Sequence, residues 1–353
     1  MILPASQAAT LALLVISLIC WGTWANTLKL AGKWRFELYY YDFALGFALL
    51  AVVAAFTAGS LSSTELSFQE NFLITGYRNI AYVALAGIIF NVGNMLLTAA
   101  ISVAGMALAF CVTFAVALTV STAWTLIFDS PSGMLLALAG AALLLAALVL
   151  AAYAYSKYLE SRAEAAKQAA LQADPRTKLG KRPARTPGAA QPVVLGVLGG
   201  IALGFFRTLL DLGRAGDNGV APYGLTLLFA AGIFGSTIVL APFFFNFPVA
   251  GAPIRFSNYF SGTGKQHLLG LLGGILAGAA FLTGMLALGA APFLRTAAVP
   301  SYALSEGGPV LAVMCGLFVW REFKGAGERP RLLSLFMLIL LAAGIALLAV
   351  ARR

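Results

Sequence analysis

The sequence predicts an all-α integral membrane protein: ten transmembrane helices arranged as two inverted five-helix repeats. Three observations carry this. Of the 353 residues, 61% are hydrophobic and only 10% charged, too little charge for the surface of a soluble domain of that length. The apolar residues form continuous runs of about 20, the length a helix needs to cross a bilayer and unlike the short alternating strands of a membrane barrel. One long polar stretch, Lys157 to Gln191, falls mid-chain with eight Lys/Arg against three acids, and five apolar runs lie on each side of it.

In chain order the spans are expected near 6–28, 39–59, 79–100, 104–127, 132–156, 192–212, 222–245, 268–288, 297–320 and 331–351. The first run has no basic segment before it and its first lysine, Lys29, follows it, the pattern of a first span rather than a cleaved signal peptide. The third and fourth spans are joined around Ser102–Gly105, which predicts a tight antiparallel pair. Residues 1–156 then form the first repeat, 157–191 a basic linker, and 192–353 the second repeat. The linker opens with good helix formers from Lys157 to Gln172 and then turns to Asp174-Pro175 and Pro183…Pro187-Gly188, the composition of a solvated tether.

Charge sets the orientation. One side collects seventeen Lys/Arg: Lys29, Lys33 and Arg35, the linker's eight, then Arg255, Lys265, Arg321, Lys324, Arg329 and Arg331. The other side holds five: Arg78, Arg214, Arg295, Arg352 and Arg353. By the positive-inside rule the linker is cytoplasmic and both termini lie outside, in the cytoplasmic membrane. The net charge of +10 therefore belongs to membrane topology and does not point to nucleic acid. An odd number of spans per half makes the halves enter from opposite sides. A shift of 182 positions matches Ile19/Ile201, Gly22/Gly204, Leu28/Leu210, Leu30/Leu212, Tyr41/Tyr223, Leu45/Leu227, Phe47/Phe229 and Ala48/Ala230. Inverted repeats set a solute site near the bilayer midplane, at their interface.

Polar residues inside spans are the candidates for chemistry. Glu306 lies deep in the ninth run, before Gly307-Gly308-Pro309. A carboxylate there is costly and faces a cavity or a partner, and the Gly-Gly-Pro loosens the helix behind it. It reads as a proton-coupling group, or else as a structural carboxyl bonded to a neighbouring helix. Arg207 and Asp211 are spaced i,i+4 on the sixth span, as a packing ion pair, a gate or a substrate-binding pair. Trp21 and Trp24 share a helix side with Asn26 nearby; they suit stacking on a flat solute or anchoring at the interface. Asn91 and Asn94, spaced i,i+3, serve substrate or helix–helix bonds. Asp42 follows Tyr39-Tyr40-Tyr41 as an interfacial cap, a second proton or substrate residue, or a member of a gate or ion pair. Tyr302 stands one turn before Glu306. His267, the one histidine, sits at a span edge and reads as structural. Cys20, Cys111 and Cys315 lie singly in apolar runs, as packing residues. There is no GxxxxGK[ST], HExxH or Ser/His/Asp set, so neither an ATP-driven pump nor an enzyme is expected, and no cofactor or metal. Nor is there the charged ring or filter-like loop of a channel.

The stretches CWGTWANTLKL (Cys20–Leu30), YYYDFALGFALLA (Tyr39–Ala51), GIIFNVGNMLLTAAISVAGMALAF (Gly87–Phe110), Phe128-Asp129 and VPSYALSEGGPVLAVMCGLFVWREFKGAGERPRLLSLFML (Val299–Leu338) resemble the drug/metabolite transporter superfamily, and within it the ureide permeases of plants and their bacterial relatives. The rhamnose–proton symporter and the glucose/ribose uptake permeases are similar in the same regions. The resemblance implies ten helices in two inverted repeats, a cytosolic linker between spans five and six, and proton-linked uptake of a small neutral polar solute, ureide- or nucleobase-like. Sugar uptake, metabolite or drug export, and a non-transporting scaffold or sensor are the alternatives. The plant proteins carry a P-loop-like motif in the linker and a Gly-Asn pair in the eighth span. Here the motif is missing, and Gly278-Ala279 stands at the second place. The partners expected are the solute, protons and lipid, and assembly with further copies is compatible with the sequence. A reporter enzyme fused after Arg353 is expected to be active on the outer side only; activity in the cytoplasm would reverse the orientation.

Overall fold

A computed structural model describes residues 1–61, 66–128, 133–172, 188–289 and 304–351. Among these the chain is an all-α membrane protein. Nine helices are long and apolar enough to cross a bilayer, with a shorter apolar helical stretch at Gly308–Val319. Tyr302, Asp129 and residues 173–187 of the linker lie outside the described residues.

The first span is α1 (Gln7–Thr23), capped by the Ser6 side chain, and continues past Trp24-Ala25 as α2 (Asn26–Leu30). The second is α3 (Phe36–Phe56). A short helix that the apolar pattern does not reveal, α4 (Phe68–Ile74), follows. Its N-terminus is closed by a reciprocal capping box between Ser67 and Glu70. The exposed Glu70 carboxyl is held below its usual range by the Ser67 backbone and hydroxyl. Then come α5 (Tyr77–Ala104) and α6 (Met106–Phe128), joined at Gly105 with φ +91°; the connection is as short as expected, but both helices pack mainly on others rather than as a tight pair. Next, α7 (Met134–Gln172) runs 39 residues without a break, so the linker's first half is a direct extension of the fifth span, as its helix formers predict. The second half has α8 (Ala190–Arg214), α9 (Pro222–Asn246), a 3₁₀ turn at Phe256–Ser261 and α10 (Gly264–Gly289). The ninth run is helical at 304–306 and interrupted at Gly307. It resumes as α11 (Gly308–Met314) with Pro309 in its first turn, where a missing N–H costs nothing. It ends in a π turn, Cys315–Val319. The last helix is α12 (Glu328–Ala351).

The helices pack in recurring pairs: α5 with α8, α1 with α10, α3 with α10, α5 with α9, α6 with α8, α1 with α11, and α7 with α12. Since lipid is as apolar as a leucine side chain, these contacts depend on close approach rather than on the hydrophobic effect. Two crossings show it. A Cβ on Gly46 or Gly274 would run into the carbonyl of Leu271 or Phe43 across the α3–α10 crossing. On Gly87 or Gly232 it would meet the carbonyl of Phe229 or Ala84 across α5–α9. Between the crossings sits an aromatic centre in which Phe229 stacks on Phe281 with centroids 4.0 Å apart. Leu135, Val149, Leu332 and Ile339 on α7 and α12 are exposed, as side chains facing lipid would be.

Contacts also sort the helix ends into two faces. Gln191 donates to Val249 O at 2.7 Å and Arg35 to Ala252 O at 2.6 Å, so the start of α8, the end of α9 and the start of α3 share the linker face. The amino terminus donates to Leu66 O, and Ala351 lies against Gly133, which puts both described chain ends on the opposite face. Gly274→Val is expected to destabilise the fold by about 1–3 kcal/mol through overpacking. Gly235→Ala, with open space around it, leaves stability unchanged or raises it. Thermal unfolding in detergent measures both.

Candidate functional site

A cavity of about 770 Å³ opens between α1, α5, α6, α8, α10 and the interrupted ninth span. It is eccentric. Its lining reaches no nearer the linker face than Trp24 on the first span, Leu97 on α5, Phe114 on α6 and Leu203 on α8. It runs away from that face to Thr125, Arg214 and Leu288. Beneath it the chain is solid: Trp24 is 1% exposed and packs on Phe43 and Phe110 at 5.1 and 6.2 Å.

The lining has two chemically different parts. One is aromatic, with Trp21, Phe90, Phe206 and Phe281 among its residues; Trp21 leans on Phe90 at 5.9 Å and Phe90 on Phe206 at 5.3 Å. The other is a charged stripe on α8. Arg207, Asp211 and Arg214 recur at the i, i+4, i+7 positions of one helical face, and all three line the cavity. At its inner end the Arg207 guanidinium pairs with the Glu306 carboxylate, whose side chain is 6% exposed. Ser305 Oγ donates to the same carboxylate at 3.3 Å. The break at Gly307 ends the helical turn immediately after Glu306. The carboxylate thus sits where backbone geometry changes, in a pocket where an uncompensated charge would be expensive. Asp211 stands one turn further out, exposed, where its charge also acts on Arg214.

Of the residues singled out from the sequence, Trp21, Trp24, Asn94, Arg207, Asp211 and Glu306 meet in this cavity. Asn94 also receives support from below, donating to Tyr40 Oη at 2.9 Å. Asn26, Asn91 and Asp42 stand elsewhere. Asn26 accepts from Trp320 Nε1 at 2.7 Å and donates to Thr23 O. Asn91 donates to Ser236 and Thr237 at 2.8 and 3.0 Å, joining α5 to α9, which is the helix–helix alternative for this residue. Asp42 is 2% exposed and accepts from Tyr259 Oη and from His267 Nδ1 at 2.9 Å. Burial, and then the bond to Asp42, raise the Tyr259 phenol above its usual range, so it stays protonated and donates. His267 is thereby one of the groups that fix the start of α10 to α3.

Several lining residues are invisible to sequence reasoning. Phe114, Trp124, Phe206 and Phe281 face the cavity, yet an aromatic in an apolar run looks the same whether it faces lipid, core or solute. Arg214 belongs to the topological charge count by its position at a span end. Only its spacing from Arg207 and Asp211 signals the shared face.

No family model matches the chain, and no curated protein matches it. Among solved structures, one described only as "Crystal structure of protein" aligns over 98% of this chain and 98% of its own, with a TM-score of 0.52 and 14% identity. At that identity the likeness shows a shared fold and nothing of activity.

Proposed function

We propose that the protein is a secondary transporter of the drug/metabolite transporter type, resembling the ureide permeases, that carries a small neutral polar solute together with protons. The observation that carries this is the off-centre cavity in which Glu306 pairs with Arg207, with the described chain solid on its linker side. Its volume lies within the range of small-molecule sites, and an aromatic wall with a charged edge suits a flat polar solute.

The inverted-repeat reading draws support from the packing. Exchanging the first five spans for the last five turns α5–α8 into α10–α1, α3–α10 into α9–α5, and α6–α8 into α11–α1, and each of these pairs is in contact. The α7–α12 and α3–α9 pairs map onto themselves. Counting α1–α2 as one span and the interrupted stretch as the ninth gives ten. Such repeats permit alternating access by rocking about a fixed site. With the linker in the cytoplasm, the cavity faces outward, the state that receives a solute for uptake.

Glu306 is the coupling residue in this reading. Protonation removes the carboxylate charge that Arg207 neutralises. The guanidinium then turns its donors to the solute, whose acceptor groups take the place of the carboxylate against the Arg207 charge. Trp21 stacks on the solute above the floor that Trp24 closes, Asn94 reads its polar edge, and Asp211 gates the outer path. A second reading, export of amphipathic metabolites, is favoured by the preponderance of aromatic side chains in the wall.

In proteoliposomes Glu306→Gln is expected to lose uptake driven by a pH gradient while keeping solute exchange; full gradient-driven uptake in that variant rejects the coupling role. A thermal-shift series against nucleobases, ureides and sugars separates the solute classes. A ligand at about 100 times its Kd adds about 2.7 kcal/mol of stability. Stabilisation by hydrophobic cations alone favours the export reading.

A further inference from the structure

The closed linker face is held by a carboxylate that the cavity does not use. Glu322 follows the π turn Cys315–Val319, and its side chain is only 9% exposed. Its Oε1 accepts from the Met106 N–H at 2.7 Å and pairs with Lys29 Nζ at 2.6 Å; its Oε2 accepts from the Ala107 N–H at 2.8 Å. One residue therefore ties together the end of the first span, the start of the fourth and the end of the ninth.

The surroundings are shaped to admit it. Gly105 has φ +91°, and a Cβ there would come within 2.5 Å of the Glu322 carboxylate. A Cβ on Gly316 would come within 2.8 Å of Oε2 and 2.6 Å of Ala107 N. The path back from Glu322 to α11 is wound wide: Trp320 N–H bonds to Cys315 O and Glu322 N–H to Gly316 O, while Arg321 takes φ +49°. Such a π turn marks a place where a helix can change its winding. Beside it Trp320 donates to Asn26 and lies under Lys29 at 5.9 Å. All of this lies on the linker side of the floor formed by Trp24, Phe43 and Phe110.

We propose that Glu322 is the gating residue of the linker face. While it is bonded to Lys29 and to the first turn of α6, the cavity stays closed to that face; its release lets the first and ninth spans part from α6 and opens the floor. The bonds are charge-assisted and part-buried, stronger than neutral ones, yet they involve one side chain and break as a unit. This gate rests on the transport reading, but its test needs no solute.

The test uses a background in which Cys20, Cys111 and Cys315 are replaced by alanine and Ser121, a cavity-lining residue, by cysteine. A membrane-impermeant maleimide is added to one face or the other of oriented vesicles. With Glu322 intact, labelling is expected from the face opposite the linker. Glu322→Gln keeps the shape and removes the charge. It is expected to raise labelling from the linker face about tenfold and to lower it from the opposite face, the population shift that loss of a charge-assisted bond brings. Lys29→Gln, at a residue 25% exposed, leaves both α6 bonds in place and is expected to shift sidedness in the same direction by less. If Glu322→Gln is not recovered folded, Lys29→Gln decides alone. Unchanged sidedness in folded variants overturns the gate. A shift in sidedness without uptake of any solute keeps the gate and rejects the transport reading instead.

Discussion

A charge in the low-dielectric interior of a membrane protein must have a partner, and where that partner is on another span the pair fixes how the spans sit. Arg207–Glu306 joins α8 to the interrupted ninth span, and Lys29–Glu322 joins the first span to the end of the ninth. Asp42–His267 joins α3 to α10. Each of the carboxylates alone would cost several kcal/mol. The pairs are therefore less a source of stability than a set of registration points. Glycine crossings let the helices approach, and the ion pairs decide the register.

The pairs also divide the molecule by depth. Those on the linker face stand away from the cavity: among the described residues Glu322 holds three partners and Asp42 two. Glu306 lines a cavity, bonded to Arg207 and Ser305. A carboxylate that borders a cavity can exchange a proton or a ligand, whereas one taken up by backbone amides and a lysine can only hold or let go. That contrast separates the residue proposed for coupling from the one proposed for gating.

The fold was largely legible in the sequence because lipid imposes a one-dimensional code: run length marks the spans and loop charge sorts their ends. Glu306 was legible for the same reason, since a carboxylate deep in an apolar run breaks the code. Glu322 was not. It sits among Arg321, Lys324 and Glu328 at a span end, where charge is unremarked, and its partners are backbone amides more than 200 positions away. Asn26 and Asn91 show the converse: an amide in a span announces a need for a partner but not which one, and theirs are Trp320 and the hydroxyls of α9. The aromatic wall was hidden because facing direction depends on packing between distant spans.

The unbroken α7 has a practical consequence. At 1.5 Å per residue its 39 residues extend about 58 Å, against a hydrocarbon layer of about 30 Å. It contacts α12 and α6 and contributes nothing to the cavity lining. A protein of this kind offers little outside the bilayer for image alignment in electron microscopy. Here the helix itself supplies a rigid stalk, to which a soluble helical domain can be spliced in phase without touching the pathway.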